Sequence, residues 1–90
     1  MVEIEIREID EQTFQVTVSG RTTTTHRVTL SVDYYRKLTG GRVPPAELVR
    51  KSFEFLLARE SNTSILRSFE LPVIGRYFPE YERTIGEMLG

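Results

Sequence analysis

The sequence predicts an α+β fold: a three-stranded antiparallel meander packed on one long helix, with short C-terminal helices. Three observations predict it. Apolar and polar residues alternate through the first third of the chain with the two-residue period of a half-buried strand. From Ser31 onward the apolar spacing changes to three and four residues. Leu48, Val49, Phe53, Leu56 and Leu57 then form an apolar stripe along the segment from Pro45 to Glu60. A chain of 90 residues is too short for two cores, so a single domain is expected over residues 1–90, with the meander in 1–30 and the helical part in 31–90.

Each element has a local reason. Val2, Ile4 and Ile6 alternate with Glu3, Glu5 and Arg7 in the first strand, and Phe14, Val16 and Val18 alternate with Gln15, Thr17 and Ser19 in the second. Asp10-Glu11-Gln12 and Ser19-Gly20-Arg21 supply the turns. Thr24, His26, Val28 and Leu30 give the third strand its apolar parity, among β-branched neighbours. Ser31 suits an N-cap, with Asp33 in the first turn and Val32, Tyr35 and Leu38 turned inward, and Gly40-Gly41 ends that helix. Pro44-Pro45 opens the long helix, where a missing N–H costs nothing. Glu47 and Lys51 form an i,i+4 pair on its outer face, and Phe55 lies off its apolar stripe. Ser64 to Phe69 has the look of a short helix with Ile65, Leu66 and Phe69 inward. Pro72 to Tyr77 makes a turn or two, and Pro79 to Leu89 a terminal helix.

Composition narrows the chemistry. There is no cysteine, so disulfide scaffolds, zinc ribbons and thiol catalysis are excluded. The single histidine, His26, has no neighbouring His or Cys at metal-ligand spacing, and no cofactor or metal is expected. His26 falls on the apolar parity of its strand, which favours a satisfied core residue or an interface residue over a catalytic base. Gly40-Gly41 is followed by no Gly-Lys-Ser/Thr element and is not a phosphate loop. A non-enzymatic role is expected. The longest purely apolar run is Phe55-Leu56-Leu57-Ala58, far short of the roughly 20 residues of a membrane span. The start Met1-Val2-Glu3-Ile4-Glu5 lacks the basic and apolar regions of a secretion signal, so a cytoplasmic location is expected.

Charge is unevenly placed. The first two strands are acidic, whereas Arg21, Arg27, Arg36, Lys37, Arg42, Arg50 and Lys51 make the middle of the chain basic. Such a middle suits an anionic partner or self-complementary association. Thr22 to Thr25 form a run of hydroxyls that fits an exposed strand, or donors to phosphates and base edges.

The stretch Gly41-Arg42-Val43-Pro44-Pro45-Ala46-Glu47-Leu48-Val49-Arg50-Lys51-Ser52-Phe53, preceded by the strand from His26 to Leu30, resembles the ribbon-helix-helix DNA-binding domains over residues 26–60. That resemblance implies a homodimer formed by pairing the third strand with its symmetry mate. It implies base reading by Thr25, Arg27 and Thr29, and a phosphate contact from Arg42 at the second helix. The function then expected is a small dimeric DNA-binding regulator of antitoxin type. The alternative is a protein-interaction module with no nucleic-acid role, whose partner docks on the aromatic C-terminal segment through Ile74, Tyr77, Phe78 and Tyr81.

Overall fold

The computed structural model describes residues 2–90. Met1, included in the expected meander, lies outside the described residues. Strands β1 (Glu3–Asp10), β2 (Thr13–Ser19) and β3 (Thr24–Thr29) lead into helices α1 (Val32–Thr39) and α2 (Pro45–Leu57). A 3-10 turn (Asn62–Ser64), a short strand β4 (Ser68–Glu70) and helices α3 (Val73–Tyr77) and α4 (Tyr81–Met88) complete the chain.

The α+β class and the antiparallel pairing of β1, β2 and β3 are as the alternation predicts. The sheet, however, is four-stranded and mixed, in the order β1-β2-β3-β4, with β4 parallel to β3. Ser64 to Phe69 is therefore not a helix. The 3-10 turn ends at Ser64, Ile65 is already extended, and the backbone is stitched to β3: Arg27 N donates to Arg67 O at 2.7 Å and Leu71 N to Thr29 O at 2.9 Å. The edge of β3 that pairing with the third strand of a second copy requires is thus occupied by β4. Phe69 explains the choice physically. Extended backbone turns it to the core face, where its ring stands 6.1 Å from that of Phe53, and Leu71 follows into full burial.

The register divides the sheet into two faces. Ile4, Ile6, Phe14, Val16, Val18, His26, Val28 and Phe69 share the helix side. Glu5, Thr17 and Thr25 form one row on the other side, and Arg7, Gln15, Arg27 and Ser68 form the next. No helix of the described residues covers this second face, which is why its side chains are polar.

Helix α1 ends as predicted: Ser31 Oγ accepts from Tyr34 N, and Gly40 stops the helix at φ 65°. Val32 turns outward rather than inward, while Tyr34, Tyr35 and Leu38 pack on the core. Helix α2 departs from a single apolar stripe, because it is covered on two sides. Phe53 faces the sheet, with the His26 ring at 5.4 Å, while Phe55 faces the C-terminal helices, edge-on to Phe78 and Tyr81. Phe55 is consequently as buried as Phe53. Lys51 pairs with Glu54 at 3.5 Å rather than with Glu47.

Candidate interaction surface

The C-terminal segment builds an apolar cavity of about 290 Å³ between the end of α2 and α3. Leu56 and Ile74 supply buried walls, and Ile65, Phe69, Val73 and Phe78 continue them. Three lining residues are exposed, Ser64 and the two large side chains of the rim, Tyr77 at 67% and Leu66 at 47%. Among the described residues, Glu60 is the only charged side chain lining the cavity. Apolar walls with a few polar groups are the usual make-up of a recess that holds a ligand side chain.

The rim is held from below by a polar lock. His26 is almost wholly buried, and its Nδ1 lies 2.7 Å from the Leu66 carbonyl. A carbonyl only accepts, so Nδ1 carries a proton. Thr24 Oγ1 accepts from Asn62 Nδ2 at 3.0 Å and forms a hydrogen bond with His26 Nε2 at 2.8 Å. Asn62 Nδ2 also donates to Thr22 O at 2.7 Å. Part of the threonine run and the lone histidine thus have a structural use: they clamp the turn before β4 so that the Leu66 side chain is left facing solvent. His26 is the satisfied core residue that its parity suggests.

The predicted partner-binding residues divide. Ile74, Tyr77 and Phe78 all line the cavity, as floor, rim and wall. Tyr81 does not; it is fully buried against Phe55, with its hydroxyl 2.6 Å from Ser52 Oγ. The reason is the helical turn of α4, which directs Tyr81 and Ile85 into the core on one face. Leu66, Val73 and Glu60 belong to the surface but carry no sequence signal of it. Leu66 in particular sits in the stretch whose helical spacing points it inward.

The residues expected from the sequence to contact nucleic acid lie elsewhere and apart. Thr25 and Arg27 are exposed and Thr29 is half-buried, all three on the open face of the sheet. Glu5 shares the row of Thr25, and Glu70 pairs with Thr29. Arg42 belongs to the α1–α2 loop on the helical side, its Nε donating to Thr39 O at 3.4 Å. At the start of α2, Pro45 has no N–H and the Glu47 N–H is taken by the Pro44 carbonyl at 3.0 Å.

Comparison with known proteins found no matching family model, no similar curated protein and no similar solved structure. No helix among the described residues is long and apolar enough to cross a membrane.

Proposed function

We propose that this chain is a protein-interaction module that seats a bulky apolar side chain of a polypeptide partner in the cavity beside α3. The observation that carries the reading is the Leu66–Tyr77 rim: two large side chains held in solvent around an apolar recess whose walls are continuous with the core. Aromatic anchors in desolvated pockets supply most of the energy of such contacts. Glu60 at the wall favours a partner with a basic residue next to its apolar anchor.

Selection from a displayed random-peptide library tests this. Wild-type protein is expected to enrich peptides with a large apolar residue beside Lys or Arg, and these are expected to shift the amide resonances of Leu66, Val73 and Tyr77. Tyr77→Ser and Leu66→Ser, both at exposed positions, should lose the selected peptides by about tenfold or more while keeping the fold. Peptides that perturb other surfaces, or that lack an apolar anchor, would overturn the reading.

The nucleic-acid alternative is separated by the salt dependence of binding to random duplex DNA. Its candidate residues are split between two sides of the sheet, and its base-reading strand has carboxylates among its near neighbours. Should affinity fall steeply with salt, and Arg27→Ala weaken a selected site more than random duplex, DNA binding replaces peptide capture as the function.

A further inference from the structure

Strand β1 ends the sheet on the side away from β4. Leu30 N donates to Gln12 O at 2.8 Å, which starts an alternation that directs the backbone groups of Phe14, Val16 and Val18 to β3 and those of Gln15 and Thr17 to β1. Their β1 partners Arg7 and Glu5 bond inward, and the N–H and C=O groups of Ile4 and Ile6 point out of the sheet. Arg50 Nη1 donates to the Ile4 carbonyl at 2.8 Å, as this register requires. The side chains of Ile4 and Ile6 are only half-buried.

We propose that this edge is the site of self-association: β1 pairs antiparallel with β1 of a second copy about a two-fold axis at Ile6, joining two sheets into one of eight strands. The charges single out this register. With the axis at Ile6, Glu5 opposes Arg7 of the second copy twice over on the open face, at the closer, non-hydrogen-bonded pairs. Ile4 opposes Glu8 of the second copy, and the Arg50 guanidinium held at the Ile4 carbonyl meets that carboxylate on the helix face. An axis at Ile4 sets Glu3 against Glu5, and axes at Glu5 or Arg7 set each residue against itself. None of Glu5, Arg7, Glu8 or Arg50 has an ion-pair partner within one copy among the described residues. Strand edges with outward N–H and C=O groups are templates for pairing, and the half-covered Ile4 and Ile6 gain burial when it occurs. The bulge between Glu8 and Asp10 ends the ladder on each side.

Sedimentation equilibrium across the micromolar range reads the outcome. The wild type is expected to dimerise; Glu5→Arg and Arg7→Glu should each raise the dissociation constant about tenfold or more, and the double variant should restore it. A wild-type monomer overturns the proposal, as does a dimer indifferent to either reversal. Amide exchange at Ile6 gives a check that needs no variant. Its N–H is protected in the β1 dimer, and rapid exchange at Ile6 in a dimeric sample would overturn the assignment.

Discussion

The Tyr81 hydroxyl of α4 lies 2.6 Å from the Ser52 hydroxyl of α2, both groups fully buried. Ser52 donates its one proton to the Leu48 carbonyl at 2.7 Å, so the proton between the hydroxyls belongs to Tyr81. This chain of two bonds is how the C-terminal helix is pinned to the central one without leaving a polar atom unpaired.

Its direction makes the two deletions unequal. Tyr81→Phe removes the donor and leaves Ser52 bonded to Leu48, at a cost of about 0.5–1.5 kcal/mol. Ser52→Ala strands a buried phenol and should cost about 1–3 kcal/mol. Denaturant unfolding of the two variants is expected to rank them in that order.

Phe53 and Phe55 face opposite layers from one helix. Truncating either to Ala should cost about 3–5 kcal/mol, a large part of the stability of a domain this small. Near-equal shifts in the urea midpoint are expected. A much smaller loss at Phe55 would mean that the C-terminal helices do not cover α2 as described.

Asn62 ties the turn before β4 to β2 and β3 through Val18 O, Thr22 O and Thr24 Oγ1. Asn62→Ala is expected to loosen the Leu66 rim more than the sheet. Amide hydrogen exchange should accelerate at Ser64 to Arg67 while the centre of β2 stays protected.

Alkaline pH should destabilise the fold through Tyr81. Burial raises its phenol above the ordinary value of 10.0, so the native state holds a proton that the unfolded state releases. The stabilisation is complete below pH 10 and falls by about 1.4 kcal/mol per pH unit above it. Tyr34 is raised as well, by partial burial and by its bond to the Glu82 carboxylate at 2.9 Å, with a smaller effect because its ring is partly solvated. Unfolding midpoints measured upward from pH 9 should show this slope, reduced in Tyr81→Phe.

Local rules carried most of the chain. Alternation placed β1 to β3 and their buried faces, Ser31 and Gly40 bounded α1, and the proline pair marked the start of α2. These signals act within a few residues, through side-chain parity, capping and backbone restriction, and so are written in the sequence itself. Tertiary structure decided the rest. Three residues are too few for β4 to show a period; it exists because β3, some forty positions earlier, offers an unpaired edge, and because His26 holds the Leu66 carbonyl. The same partners turned Leu66 outward, enclosed Tyr81 and buried Phe55, since only packing determines which sides of a helix are covered. Thus the ribbon edge suggested by β3 was filled from within the chain, and the open edge of the sheet came to lie at β1.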